Sequence, residues 1–332
     1  MSKSGLTRSI YDQIISAESQ DEKLAVLQKY NKESLFRRIV FFAYNPMIQF
    51  DMNNFHTNKT GTPHGLGISK FMHIFDDIIN NNLTIQEANF ACQIAMGHIN
   101  STEADIFKGI LTKTLDLGLE NDTINKAYGG MIPGYPLQQV AMFNKDSVKK
   151  FTYPCVVQKM SSGMRVNIVV KGDIVQFRNK QGEIFHEFDK FASQFSALAQ
   201  NGNIVFDGHA VAIDEKNNPI ADLEDEEILS YDIDYIRFIL WDSIRFDGFV
   251  EGEDSRIGYN WRFNGLEHMM FLSVDQVSDP IYGLPQQRIV ENLQQAIDIS
   301  DELGDVVLKD FSGTWRTGVT SYEVAISKSK LD

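Results

Sequence analysis

Cysteine is scarce in this 332-residue chain: Cys92 and Cys155 are the only two, far apart and each in an apolar setting. That rules out a disulfide-stapled scaffold and predicts two buried thiols in a reducing compartment. No Cys/His cluster has metal-ligand spacing, which argues against a structural zinc and offers no metal site. Long apolar runs are missing too, and the opening segment MSKSGLTRSIYDQ lacks a signal-peptide core. The expected location is therefore cytoplasmic, without membrane contact. Positive charge is also in short supply: 31 Lys and Arg face 45 Asp and Glu, a net charge of −14 at pH 7. Nucleic-acid affinity comes largely from cations that release phosphate counterions. Global acidity permits a basic face but argues against nucleic-acid binding as the main task. Internal repeats and low-complexity tracts are absent.

What is present suffices for packed cores. Hydrophobic residues make up 43% of the chain, with 23 Phe, and charged residues an ordinary 23%. The length suits two domains. Up to about residue 130 the pattern is helical. Ser19 with Glu22, and Thr84 with Glu87, stand at capping-box spacing. Ile68, Phe71, Met72, Phe75, Ile78 and Ile79 form one apolar stripe. ADIFKGILTKTLDLGLE predicts a further amphipathic helix. Gly and Pro in GGMIPGYPLQQ (129–139) then break the period and read as a linker. Beyond it the period becomes two, in CVVQ, MRVNIVV, DIVQFRN, GEIFHEF and NIVFDGHAVAID. DKFASQFSALAQ reads as a helix, YIRFILWDSI as a strand, LPQQRIVENLQQAIDISDEL as a helix with Pro near its start, and DVVLKD as a strand. The expectation is α+β: an all-helical domain over 1–130, then a mixed domain over 131–332 with a mainly antiparallel sheet.

Several segments, in order, carry a resemblance. LFRRIVFFAYNPMIQF and TLDLGLENDTINKAYGGMIPGYPLQQ precede YPCVVQKMSSGMRVNIVV, FDGHAVA, FILWD, YNWRFNGLE and DVVLKDFSGTW. Together they resemble the ATP-dependent DNA ligases of T4-type phages over nearly the whole chain. The resemblance implies a helical DNA-binding-type domain followed by a nucleotidyltransferase (adenylation-type) domain. It also implies an adenine nucleotide as ligand, with Mg²⁺ if the chain is active. Ligases of this family continue into an OB domain, and this chain stops where that domain would begin, so a fold without it is expected.

The chemical positions depart from the family. Its nucleophilic lysine lies in a K-x-D-G-x-R motif and must reach the α-phosphate as a free amine. Aligned without gaps on Gly163 and Arg165, this chain has Met160 at the lysine and Ser162 at the aspartate. A thioether cannot form a phosphoramidate. Lys159 is adjacent, but one residue along a strand points to the other face, and only a bulge would turn it back. Otherwise it is a solvent-facing lysine. His209 replaces the glutamate of the D-G-E motif; imidazole is a poor Mg²⁺ ligand, and a structural role is the bland alternative. Gly304-Asp305 replaces Glu-Gly. The closing K-x-K pair aligns to Ala325 and Ser327, with Lys328 and Lys330 available only through an insertion.

Groups that recognise rather than react are better kept. Arg165 stands where the family contacts ribose or phosphate, Trp241 where an aromatic stacks on adenine, and Val307 and Lys309 on the next strand. Their alternatives are plain core for Trp241 and Val307, and an Arg165–Asp242 ion pair. In the first domain Arg37, Arg38, Lys108, Lys113 and Lys126 are candidate DNA contacts, against the default of solvated helix surface. These departures imply a catalytically defective, ligase-like protein of phage origin, a pseudo-ligase acting by binding. A protein partner from phage or host is favoured by the acidity, with nucleotide or DNA also open. The alternative is an active ligase or adenylyltransferase using a register-shifted Lys159 and Asp305.

Overall fold

Apolar residues at helical spacing build the first of two units, Met1–Gly134 and Tyr135–Asp332. The computed structural model describes residues 3–48, 50, 55, 57–80, 82–143, 151–172, 174–220, 223–277 and 279–326. The first unit holds α1 (Lys3–Ile15), α2 (Gln20–Lys29), α3 (Ser34–Tyr44), α4 (Met72–Ile79), α5 (Ile85–His98), α6 (Ala104–Leu111) and α7 (Asn121–Tyr128). Ser19 caps α2 by accepting the Glu22 N–H, and Thr84 with Glu87 closes a full capping box on α5. Phe42, Phe50, Phe75 and Phe107 centre one core, and Ile10, Leu27, Phe36 and Ile124 a second.

Two helices are shorter than their periodicity predicts. The stripe at 68–79 begins as a 3₁₀ turn, Ile68–Lys70, before α4. The helix from Ala104 ends at Leu111 because Lys113 takes a left-handed φ of 57°, so TKTLDLGLE is not helical. Gly129, at φ 69°, caps α7 in the left-handed conformation, as helix ends favour. Asn125 then pins the following segment, its side chain exchanging hydrogen bonds of 2.7 and 2.9 Å with the Ile132 backbone.

The second unit is built on strands β1 (Gln138–Met142), β2 (Cys155–Lys159), β3 (Met164–Lys171), β4 (Ile174–Arg178), β5 (Ile184–Phe185), β6 (Ile204–Ala212), β7 (Ile236–Arg245), β8 (Glu253–Gly258), β9 (Tyr282–Gly283), β10 (Gln287–Val290), β11 (Val306–Asp310), β12 (Thr314–Arg316) and β13 (Gly318–Ile326). Between them run α8 (Ala192–Ala199), α9 (Asp225–Ser230), α10 (Phe246–Glu251), α11 (Tyr259–Ser273) and α12 (Leu293–Leu303). Two large sheets result, ordered β1-β13-β11-β2-β10 and β5-β4-β3-β6-β7-β9, with a small β12-β8 pair. Pairing is antiparallel except for β1 with β13 and β7 with β9.

Alternation along the strands decides what faces what. Met164, Val166 and Ile168 of β3, with Phe206, Ala210, Phe238 and Leu240, pack against Phe195 of α8 and Leu266 of α11. Cys155, Val157, Val306 and Leu308 pack against Ala296 of α12. Each large sheet thus buries its outer face under helices. The inner faces carry the residues between, and those of both sheets line one cavity.

One expected helix is corrected. In LPQQRIVENLQQAIDISDEL, Gln287–Val290 is strand β10, paired antiparallel with β2, and α12 starts only after Asn292, which accepts the Gln295 N–H. The open edge of β2 supplies hydrogen bonds that override local helical preference.

Candidate functional site

The cavity, of about 190 Å³, is lined by Gln138, Val140, Gln158, Lys159, Met160, Ser161, Arg165, His209, Trp241, Val307, Lys309 and Glu323. It thus gathers Lys159, Met160, Arg165, His209, Trp241, Val307 and Lys309, which lie on five different strands or their ends. Trp241 enters through a bulge. Asp207 pairs with Asp242 and the adjacent Gly208 with Leu240, so Trp241 is the extra residue on β7. The bulge lets Leu240 stay in the core while Trp241 points to the cavity. Gly163 makes the approach to β3 possible: at φ 146°, a Cβ there would meet the Ala210 carbonyl oxygen at 2.5 Å.

Around this space the charges are closed on one another. Arg165 forks onto Asp207, Nε to Oδ1 at 3.1 Å and Nη2 to Oδ2 at 2.7 Å, and donates to the Gln138 carbonyl at 2.9 Å. Burial works against the Arg165 charge, but Asp207 and Glu323 outweigh it and hold the guanidinium above its ordinary range. Asn167 donates to the same Asp207 Oδ1 at 2.9 Å. Lys309 meets Glu323 at 3.1 Å with both side chains buried, its amine 4.7 Å from the Tyr259 ring centroid. Behind Trp241, Arg262 forks onto Asp242 at 2.8 and 2.9 Å. The expected Arg165–Asp242 pair is therefore corrected: each takes a different partner, because the regular β3–β6 register sets Asp207 diagonally beside Arg165, on the same face, while Asp242 is taken by Arg262 of α11.

Lys159 keeps regular register. It stands opposite Val306, with the pairing unshifted from Asp310↔Cys155 onward, and Met160 N–H donates to the Asp305 carbonyl at 2.9 Å. The bulge that would turn Lys159 inward is absent from this ladder. Lys159 is exposed at the rim and Met160 is 42% exposed. Asp305 is exposed and not among the described lining residues. Ser327, Lys328 and Lys330 lie outside the described residues.

His209 is hydrogen-bonded through Nδ1 to Ser161 Oγ at 2.8 Å and stands edge-on to Trp241, ring centroids 4.6 Å apart. Burial depresses its pKa to about 4, so the ring is neutral at pH 7. Ser161 and Glu323 escaped the sequence reading. Glu323 was detectable in principle, two residues before Ala325 and so on the same face of β13. Gln158, buried and hydrogen-bonded to the Tyr259 hydroxyl at 3.0 Å, gave no signal of its own.

A nucleoside triphosphate with Mg²⁺ does not fit these residues. The Asp207 and Glu323 carboxylates are spent on Arg165 and Lys309, and those two cations on them. The cavity is also smaller than the roughly 300–1,000 Å³ usual for ligand sites. Among the described residues no group of three His, Cys, Asp or Glu could hold a metal ion.

In the first unit the candidate cations are dispersed in role. Lys113 donates to the Phe42 and Asn45 carbonyls at 2.9 and 3.0 Å, closing the end of α3. Arg38 pairs with Asp76 at 2.6 Å. Arg37 lies over the Tyr128 ring at 5.6 Å. Lys108 and Lys126 are exposed, with no ion pair among the described residues.

Two facing sheets with helices outside thus bring Arg165, Trp241 and Lys309 onto the inner walls of one cavity. No protein-family model matches the chain. In sequence it is similar to the DNA ligase of Enterobacteria phage T4, 20% identical over 360 residues that cover 92% of this chain and 72% of that ligase. The DNA ligase of Enterobacteria phage T6 matches to the same extent. In structure it is similar to a protein described as Pmar-Lig_Pre., with a TM-score of 0.50 and 15% identity, over 97% of this chain and 77% of that one. The chain is a relative of the DNA ligases. No helix among the described residues is long and apolar enough to cross a membrane.

Proposed function

We propose that this chain is a ligase-type protein that has lost nucleotidyl transfer and works by binding. One observation carries the reading: at the cavity where its relatives would do phosphate chemistry, Met160 stands at the nucleophile position while Arg165 and Lys309 are closed on Asp207 and Glu323. Phosphoryl-type transfer depends almost wholly on positioned charge. Cations already neutralised by buried carboxylates have little left for a phosphate.

The relatives are named as DNA ligases, which makes DNA the first ligand to test. The acidity falls unevenly: residues 1–134 carry 14 acids against 12 bases, residues 135–332 carry 31 against 19. The first unit is therefore the better candidate for DNA contact, through Lys108 and Lys126.

A second reading rests on the exposed Lys159 amine at the cavity rim, as a displaced nucleophile. Intact mass of the purified chain with ATP and Mg²⁺, repeated on Lys159→Ala, decides between the two. No adduct is expected in either. A gain of one AMP in the parent that vanishes in Lys159→Ala would overturn the proposal.

A further inference from the structure

Helix α11 is apolar on two faces, and the chain covers one of them. On the inner face Leu266, Met269 and Met270 join the core beneath the six-stranded sheet, Phe263 packs with Tyr259 and Val156, and Arg262 closes on Asp242. The outer face carries Trp261 and Phe271, each 74% exposed, with Leu272 at 40%; Val274, just past the helix end, is 62% exposed. On a helix Trp261, Gly265, His268 and Leu272 fall at i, i+4, i+7 and i+11, one stripe, and Phe271 lies beside it. Asn264, Glu267 and His268 are the polar residues that a surface helix presents outward, and Trp261, Phe271 and Leu272 stand exposed among them. Single exposed apolar residues need no explanation, but an aromatic and an aliphatic on one stripe, with a second aromatic on the row beside it, do.

Gly265 is an independent observation on the same stripe. Glycine is the poorest helix former after proline, and it stands here in the middle of a 15-residue helix. Nothing among the described residues lies within 4 Å of where its Cβ would be, so none of them requires the missing side chain. What it leaves is a notch between Trp261 and Leu272, where a side chain from another molecule can reach the helix backbone.

Charge selects the kind of molecule. Between Tyr259 and Gln287 the one Lys or Arg is Arg262, buried against Asp242. Glu267, Asp275 and Asp279 are all exposed along or just after the helix. A second copy of this chain would bring the same acids against themselves.

We propose that the outer face of α11 docks a basic amphipathic helix of a partner protein. Its apolar seam lies on Trp261, Phe271 and Leu272, one side chain enters the notch at Gly265, and flanking Lys or Arg meet Glu267 and Asp275. Buried aromatic anchors inside a charged rim are the usual energetic centre of such contacts. The site lies outside the cavity, so the proposal stands whether or not ATP leaves an adduct.

The test is a displayed library of helical peptides with randomised surface positions, selected on the full-length chain and counter-selected on Gly265→Leu. Enriched peptides should combine a Leu, Ile or Phe seam with Lys or Arg flanks. Their affinity should fall at least tenfold on Gly265→Leu and on Trp261→Ala, and should weaken with salt. Both variants should melt no lower than a Phe271→Ser control that keeps the notch. No enrichment, enriched peptides without a basic bias, or equal binding to both variants would overturn the proposal. So would Trp261-dependent dimerisation of the chain itself in sedimentation.

Discussion

Lys309 and Glu323 face each other directly across β11 and β13, 3.1 Å apart and both buried. This single pair engages one lysine and one carboxylate of the cavity with each other. Breaking it by Glu323→Gln leaves a buried ammonium unpaired. We expect a loss of about 3 kcal/mol, the usual cost of orphaning one partner of a buried pair, read from urea unfolding. The double change Lys309→Met with Glu323→Leu should recover most of it, and a coupling near zero in that cycle would show that the pair contributes nothing.

On the proposed reading, a lysine placed at position 160 should not bring nucleotidyl transfer. Met160→Lys places an amine at the position that the ligase resemblance assigns to catalysis, but Arg165 and Lys309 remain closed on their carboxylates. Intact mass after incubation with ATP and Mg²⁺ should show no added AMP. An adduct would mean that loss of the lysine alone had silenced the site.

His209 makes stability depend on acid. Its folded pKa, about 4, lies below the ordinary 6.5 because burial disfavours the imidazolium. The unfolded chain therefore takes up the proton first as pH falls. Stability should be unaffected above about pH 7 and decline between about 6.5 and 4, by no more than about 2–3 kcal/mol once partial solvent access is allowed for. His209→Gln should remove that part of the slope; an unchanged slope would assign it elsewhere.

Lys113 and Lys126 separate structure from DNA contact. Lys113→Met removes charged hydrogen bonds to the Phe42 and Asn45 carbonyls at the end of α3 and should cost about 1–2 kcal/mol, leaving DNA affinity unchanged. Lys126→Glu should leave the melting temperature in place, weaken DNA binding and lower its salt slope by about one. If filter binding shows the reverse, the surface assignment of these lysines is wrong.

The order of elements was legible because it is local. Thr84 and Glu87 announce a helix start through their own hydrogen bonds, and the period-two runs of β3 and β6 need no partner to be recognised. Met160 at the position that the ligase resemblance assigns to the nucleophile follows from aligning Gly163 and Arg165 on that family's motif. The sequence by itself therefore determined the mixed fold class and the order of its helical and strand segments. Which charges are free was another matter. Nothing in the local pattern joins Arg165 to Asp207 or Lys309 to Glu323, since those contacts depend on the register of β3 against β6 and of β11 against β13. The helix predicted across Gln287–Val290 failed for the same reason: the vacant edge of β2, a non-local partner, claimed those residues as a strand. Tertiary pairing alone decided that the cavity is closed on its own charges, because an ion pair forms wherever the fold brings two groups within reach, however far apart they lie along the chain.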